Sequence, residues 1–242
     1  MTSTVSKAAR RLRSISCTFN PSFRFSTMST KPIMLYTAGT PNGRKVSILL
    51  EELKAAYGLE YEWQKIDLSK NEQKEPWFIA LNPNGRIPAI VDRARDNFAV
   101  FETGSILLYL QQYYDKEGRF SFDPVKQPNE NSEVLQWMFW TNAGLWTSIA
   151  GHFLNAAPEN IPYAQKRYID ETRRLFGVME IRLKDHEWLV GDKISIADIN
   201  AYTWTAGHKR CGVDSIDEWP GLKKWLDRIA ARETVKVGSL VP

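Results

Sequence analysis

Residues 82–91 read Asn82-Pro83-Asn84-Gly85-Arg86-Ile87-Pro88-Ala89-Ile90-Val91, and the structural prediction starts from this stretch. The Asn-Pro and Asn-Gly pairs mark a tight turn, and the apolar residues after Pro88 predict a short strand. Proline cannot donate to a sheet ladder, so Pro88 belongs at a strand's first residue or on an edge, and the bond before it is a candidate for the cis form. Such a turn would leave the backbone N–H and C=O of Ile87 free to pair with an extended, peptide-like ligand. The alternative is an ordinary turn before a buried strand.

A second stretch supplies groups that suit the end of such a peptide. The run Phe98–Phe101 predicts the returning strand of a hairpin, and a helical pattern follows Glu102-Thr103-Gly104-Ser105. The free N–H groups and positive dipole end of a helix N-terminus hold a carboxylate, while Glu102 beside them can hold an ammonium. Together these groups suit the α-amino-acid end of a small peptide. The alternative is structural, with Thr103 capping the helix and Glu102 in its first turn.

A third stretch opens the fold. Ile33-Met34-Leu35-Tyr36 predicts a strand, and the loop Thr37-Ala38-Gly39-Thr40-Pro41-Asn42-Gly43 leads to an amphipathic helix from Lys45 to Tyr57. In this order and spacing the three stretches resemble the glutathione transferase superfamily. Within it they are most similar to the bacterial nu class and to the fungal enzymes related to the yeast nitrogen-regulator prion protein. The resemblance runs from about Ile33 to about Lys236.

The resemblance implies a thioredoxin-like α/β domain followed by an all-α domain. Residues 33–114 read β-α-β-α-β-β-α, and the chain looks helical from Glu130 onward. We therefore expect a leader over 1–30, a glutathione-binding domain over 31–115, a linker over 116–129 and a helical domain over 130–236. Gly118, Pro124 and Pro128 mark the linker.

The resemblance also implies glutathione as the bound cofactor. Ile87, beside Pro88, would pair with its cysteine backbone, and Thr103 with Glu102 would hold its γ-glutamyl end. Arg86 or Gln73 would steady the rest, although Gln73 also suits a solvated loop. Arg167 matches an arginine that reaches the ligand's carboxylate from the neighbouring subunit in the nu class. The alternative is an exposed helix arginine.

The chemistry implied by the resemblance depends on the ligand's own sulfur. A redox dithiol would place Cys-x-x-Cys after the first strand, where this chain has Gly39-Thr40-Pro41-Asn42. The amide of Asn42 and the hydroxyl of Thr40 could donate to a thiolate at the start of the first helix. Asn42 could equally be the N-cap of that helix.

Two activities follow from such a thiolate, namely reduction of disulfides and conjugation to electrophiles. The loop lacks a catalytic Tyr or Cys, which favours disulfide reduction. A non-catalytic regulator is the alternative from another class, but residues 1–27 are not rich in Asn as that regulator's leader is. A tailoring transferase in a biosynthetic pathway is a third reading, and the second substrate is not specified by any residue.

Charge is concentrated in the leader. The chain carries +4, and residues 1–27 hold five cations and no acid, which leaves −1 for the remainder. A near-neutral body argues against nucleic acid or an anionic membrane as partner. The Ser- and Arg-rich leader resembles a mitochondrial transit peptide, and the alternative is a cytosolic protein starting at Met28.

The second half predicts helices and contacts rather than chemistry. Ser195-Ile196-Ala197-Asp198 matches a capping box. Small residues at helical spacing, Gly144, Ser148 and Gly151, would let another helix approach and favour a homodimer. The three histidines have no metal-ligand spacing. One body cysteine, Cys211, cannot form an internal disulfide, which suits a reducing compartment.

Overall fold

The computed structural model describes residues 31–144 and 147–242, so the leader and Cys17 lie outside the described residues. The elements of the first part follow the predicted β-α-β-α-β-β-α order. They are β1 (Ile33–Thr37), α1 (Pro41–Tyr57), β2 (Tyr61–Lys65), α2 (Pro76–Leu81), β3 (Ala89–Asp92), β4 (Phe98–Phe101) and α3 (Thr103–Tyr114). Two short 3-10 helices, Leu68–Lys70 and Glu72–Lys74, connect β2 to α2.

The four strands form one sheet in the order β2-β1-β3-β4, with β1 and β2 parallel and β3 antiparallel to both of its neighbours. Leu35 pairs with Ile90 across β1 and β3, and both side chains are fully buried against α1 and α3. The next residue along β3, Ala89, faces the opposite side of the sheet, where it packs against Phe78 of α2. The sheet is therefore covered on both faces, as the thioredoxin-like prediction requires.

The second part is entirely helical, as predicted. Its helices are α4 (Pro128–Gly144), α5 (Thr147–Asn155), α6 (Pro162–Leu183), α7 (Ile196–Thr205), α8 (Pro220–Ala230) and α9 (Glu233–Leu240), with a 3-10 helix over His208–Cys211. The predicted stripe of small residues spans two helices, because α4 ends at Gly144; the side chain of Ser148 lies outside the described residues. No helix in the described ranges is long and apolar enough to cross a bilayer.

The predicted capping box at the start of α7 is present. The Ser195 hydroxyl accepts from the N–H of Ala197, and the Asp198 carboxylate accepts from the backbone N–H of Ser195 at 2.9 Å. Asp198 is fully buried and also accepts from the indole N–H of Trp225 at 2.9 Å. These bonds fix the start of α7 against α8 and so determine which residues α7 presents to α1.

Candidate functional site

The turn before β3 is organised by one buried amide. Asn82 is 2% exposed; its Oδ1 accepts from the N–H of Asn84 at 2.9 Å, and its Nδ2 donates to the carbonyl of Arg86 at 2.6 Å. Gly85 has φ +60°, a conformation that favours glycine, and its N–H donates to Asn82 O. The turn therefore holds the backbone on both sides of Arg86 in place.

Ile87 follows directly, and the Ile87–Pro88 bond is cis, as predicted. Its side chain packs against the small cluster of Ile66, Phe78 and Ala89. The pairing of β3 with β1 begins only at Ala89, and the backbone N–H and C=O of Ile87 form no hydrogen bond with any described residue. The turn before a buried strand is therefore real, and it also leaves two unpaired backbone groups beside the sheet.

The start of α3 differs from the structural alternative. Glu102, not Thr103, occupies the N-cap position, and no side chain caps this helix. Thr103 is buried in the first turn, where its N–H belongs to the unpaired set that every helix N-terminus leaves open. Glu102 is exposed with φ 69° and ψ 123°, a backbone conformation uncommon for a residue with a side chain. Such a conformation persists only where the surrounding structure imposes it, and residues held this way cluster at ligand sites.

The first helix begins four residues earlier than predicted. Pro41 fits the first helical position, since its fixed φ suits a helix and its missing N–H is not needed there. The N-cap is Thr40, whose Oγ1 accepts from the N–H of Gly43 at 3.1 Å. The alternative that made Asn42 the N-cap is therefore wrong, because Asn42 lies inside the first turn. The Thr40 hydroxyl keeps its own proton for a further acceptor.

Asn42 has a partner that the sequence did not indicate. Its Oδ1 accepts from the indole N–H of Trp204, near the end of α7, at 2.9 Å. Its Nδ2 forms no hydrogen bond within the described part of the chain. The two residues are 162 positions apart, and no motif in the sequence joins them.

Lys45 lies one turn further along α1, and the sequence indicates no role for it beyond the start of the predicted helix. Its side chain is 2% exposed, and burial lowers the pKa of its amine to about 7, against an opposing effect of the nearby Glu102 carboxylate. Water does not solvate an amine at this depth, so its charged form depends on neighbouring groups of the protein. The Glu102 carboxylate favours the charged form of this amine, so Lys45 is linked electrostatically to the predicted binding site for the ligand's α-amino-acid end.

A cleft of about 420 Å³ opens beside Thr40. Most of its wall is apolar, and the exposed guanidinium of Arg210 and the exposed imidazole of His152 also line it. Cys211 lines it too, but is 2% exposed with its thiol directed to the carbonyl of Gly207. The lining consists of Gly39, Thr40, Pro41, Gly151, His152, Asn155, Ala156, Trp204, Gly207, Arg210 and Cys211.

The remaining predicted residues differ in how well the structure places them. Gln73 lies in the second 3-10 helix, and its Oε1 is buried without a hydrogen-bond partner among the described residues. Arg86 has an exposed side chain next to Ile87. Arg167 is exposed on α6, in a surface depression to which no residue of the α/β domain contributes. The structure thus does not bring Arg167 to the other site residues within one chain.

No group of three or more His, Cys, Asp or Glu side chains in the described residues is arranged to hold a metal ion. The polar groups around the cleft and the Ile87 turn include amide, hydroxyl, guanidinium and imidazole side chains and unpaired backbone groups. Such groups suit an organic ligand that carries both charges and a peptide backbone.

Comparison with known families and proteins gives a consistent result. The family model for the glutathione S-transferase N-terminal domain matches residues 31–112, and that for the C-terminal domain matches residues 153–233. The disulfide-bond oxidoreductase YfcG of Escherichia coli is 40% identical over 206 residues, which cover 83% of this chain and 91% of that protein.

Solved structures extend the similarity to the fold. A glutathione transferase homologue from Lodderomyces elongisporus, crystallised with two glutathione molecules per subunit, is 43% identical with a TM-score of 0.81, covering 88% of this chain and 99% of that one. The nitrogen regulation fragment of the yeast prion protein Ure2p is 31% identical with a TM-score of 0.81, covering 90% of this chain and 100% of the fragment.

Proposed function

The chain belongs to the glutathione S-transferase family, and we propose that it uses the thiolate of bound glutathione to reduce disulfides. The observation that carries this proposal is the start of α1. There Thr40 and Asn42 offer a hydroxyl and an amide beside a cleft, while the chain's own Cys211 is buried and directed elsewhere. The reactive sulfur therefore arrives with the ligand.

Glutathione fits the unpaired groups around the site. The unpaired N–H and C=O of Ile87, just before β3 begins, pair with the backbone of its cysteine, as an extended peptide pairs with free backbone groups. Its γ-glutamyl carboxylate accepts from the N–H groups at the start of α3, and its ammonium faces Glu102. The unpaired Oε1 of Gln73 and the exposed guanidinium of Arg86 are available to its remaining polar groups.

Activation of the sulfur is within reach of these groups. A thiol with a pKa of about 8.5 is only about 3% thiolate at pH 7, and lowering the pKa by about two units raises this to about three quarters. That shift corresponds to roughly 2.7 kcal/mol, which one or two hydrogen bonds to the anion can provide. Asn42 Nδ2 and the Thr40 hydroxyl are the donors, and the N-terminus of α1 adds positive potential.

The reaction is a thiol–disulfide exchange. The glutathione thiolate attacks one sulfur of the substrate disulfide, a new sulfur–sulfur bond forms, and the second sulfur leaves as a thiolate that takes a proton from water. The cleft beside Thr40 receives the substrate, and the guanidinium of Arg210 favours an anionic one such as a glutathione mixed disulfide. The name of the E. coli relative and the second glutathione in the Lodderomyces structure support this choice.

A paired assay tests the proposal. Purified protein is given glutathione with either a glutathione mixed disulfide or an activated aryl halide, and we expect faster turnover of the disulfide. Faster turnover of the aryl halide would instead support conjugation and a detoxifying role. Glutathione binding without turnover of either substrate would support a regulator like Ure2p. The 31% identity to the Ure2p fragment is the observation that favours this second function.

A variant pair sharpens the assay. Arg210→Ala should raise KM for the anionic disulfide and leave KM for the neutral aryl halide unchanged, because only the disulfide carries charge for the guanidinium to bind. Lys209→Ala is the matched control, since Lys209 is an exposed neighbour that does not line the cleft. Equal effects of both variants would remove Arg210 from the substrate site.

We further propose that the protein works as a homodimer in the mitochondrion or the cytosol. The match of Arg167 to a cross-subunit arginine supports the dimer. The basic, acid-free leader supports mitochondrial import.

A further inference from the structure

We propose that Trp204 is a positioning residue, which holds the side-chain amide of Asn42 so that its Nδ2 faces the sulfur of the bound ligand. This inference rests on the proposed function, which assigns a thiol ligand to the start of α1. It goes further by assigning the orientation of the activating amide to a residue of the helical domain.

The chemistry of the two side chains fixes the orientation. An indole has one N–H donor and no acceptor, whereas a carboxamide has an acceptor oxygen and a donor nitrogen. The 2.9 Å contact from Trp204 Nε1 therefore requires the oxygen of Asn42 on that side. The NH₂ group is left on the other side of the amide, without a partner among the described residues.

The opposite orientation would work against the reaction. With the amide reversed, the partially negative oxygen of Asn42 would face the thiolate and raise the free energy of the anion. Apart from the indole, no hydrogen bond to the Asn42 side chain within the described residues distinguishes the two orientations. Trp204 thus selects the donor face before the ligand arrives, which is the preorganisation that stabilises developing charge.

Trp204 is itself well anchored. It lies on α7, whose N-terminus is fixed by the buried capping box, and its side chain is half-buried against the main hydrophobic core. The following residue, Thr205, is fully buried and bonds back to the carbonyl of Ala201 at 3.0 Å. The indole also forms part of the cleft wall beside Thr40, so the same ring touches both the activating amide and the substrate's space.

The test compares the apparent pKa of bound glutathione, followed by thiolate absorbance, in Trp204→Phe, Asn42→Ala and the double variant. Asn42→Ala should raise this pKa by about one to two units, the value of one hydrogen bond to an anion. Trp204→Phe should raise it in the same direction. The double variant should show no more than Asn42→Ala alone, because Trp204 acts through Asn42.

Trp225→Phe is the matched control, since it also removes an indole hydrogen bond of 2.9 Å, there to Asp198. It should lower stability and leave the pKa of bound glutathione unchanged. An equal pKa change in Trp225→Phe would show a general structural effect and overturn the proposal.

A second readout does not require catalysis. In ¹⁵N-labelled protein, the Trp204 indole signal, identified by its loss in Trp204→Phe, should shift and exchange faster with solvent in Asn42→Ala. An unmoved indole signal, or additive pKa changes in the double variant, would overturn the proposal. An unchanged pKa in both single variants would also overturn it, because the amide would then not face the sulfur. If the pKa changes and the indole shift occur as expected but the protein does not turn over disulfides, the Trp204 proposal stands and only the proposed disulfide reduction is contradicted.

Discussion

The carboxylate of Glu52 on α1 accepts two hydrogen bonds from the guanidinium of Arg232, at 2.6 Å from Nε and 2.7 Å from Nη2. Thr234 donates a third at 2.6 Å. Glu52 is 3% exposed, so this is a nearly buried anion whose partners come from the start of α9. This side chain therefore ties the α/β domain to the last helix of the helical domain.

We expect Glu52→Ala to lower the free energy of unfolding by about 3 kcal/mol, because it leaves a partly buried guanidinium and a hydroxyl without their acceptor. Chemical denaturation measures the loss. Arg174→Ala is the matched control: Arg174 forms a similar two-bond pair with Glu171, but on an exposed helix face. Its loss should change stability by less than about 1 kcal/mol. Equal losses would mean that burial does not strengthen the Glu52 pair.

The buried amine of Lys45 predicts a pH dependence of stability. Its pKa in the folded protein, about 7, lies below its value in an unfolded chain, so the unfolded state binds more protons between the two values. The contribution of Lys45 to stability therefore becomes more favourable as pH rises from 7 toward 10.

Lys45→Met should consequently be more stable than the parent protein at pH 6.5, by on the order of a few kcal/mol, and the difference should shrink toward pH 10. Urea denaturation at a series of pH values measures this. Lys54→Met is the control, because Lys54 is exposed and paired with Glu60 on the surface. A stability difference for Lys45→Met that does not vary with pH would contradict the prediction.

Arg167→Ala should weaken glutathione binding about tenfold and move the melting temperature by no more than about 2 °C. Its side chain is exposed, so its loss leaves no cavity. Calorimetric titration and thermal unfolding give the two values. Arg174 lines the same depression on α6, and Arg174→Ala should leave the affinity for glutathione unchanged.

A mixed dimer tests whether Arg167 acts across subunits. Pairing an Arg167→Ala subunit with an Asn42→Ala subunit creates one site that retains both Asn42 and the partner's arginine. We expect the purified mixed dimer to show about half of the parent activity, because one of its two sites is intact. If Arg167 served its own subunit, both sites would be defective and activity would stay low.

Removal of residues 1–27 should leave melting temperature and glutathione turnover unchanged, because the first strand in the described part of the chain begins at Ile33. A truncated chain starting at Met28 that is insoluble or inactive would contradict this.

Fused to a fluorescent protein, residues 1–27 should direct it to mitochondria. Replacing Arg10, Arg11 and Arg13 by glutamine should abolish that import.

Much of the fold could be predicted because its signals are local. The turn chemistry of Asn82 to Pro88 and the capping box at Ser195 each determine nearby backbone geometry, and both were confirmed. The error at the start of α1 was local as well. The sequence prediction assigns Pro41 to a loop, although proline is favoured at the first position of a helix, and Thr40 is then the N-cap.

The site was less predictable because part of it is assembled over long distances. Ile87, Glu102 and Thr103 follow recognisable turns or helix starts, so their positions could be anticipated. Trp204 reaches Asn42 from 162 residues away, and nothing in its own neighbourhood distinguishes it from other core tryptophans. The depth of Lys45 likewise depends on helices that pack around it, which no periodicity of α1 alone reveals.

The close contact between α1 and α9 has a consequence for how the chain is made. Ser47 donates to the carbonyl of Gly238 at 2.7 Å, and a Cβ at Gly238 would lie only 2.7 Å from Ile48 Cα. Domains usually fold as units in the order of their synthesis. Here the side of α1 that meets α9 waits for a helix translated about 190 residues later, so Ser47 and Ile48 lack this contact until the last helix has been made. The α/β domain, although first to emerge, is completed only when that helix packs against it.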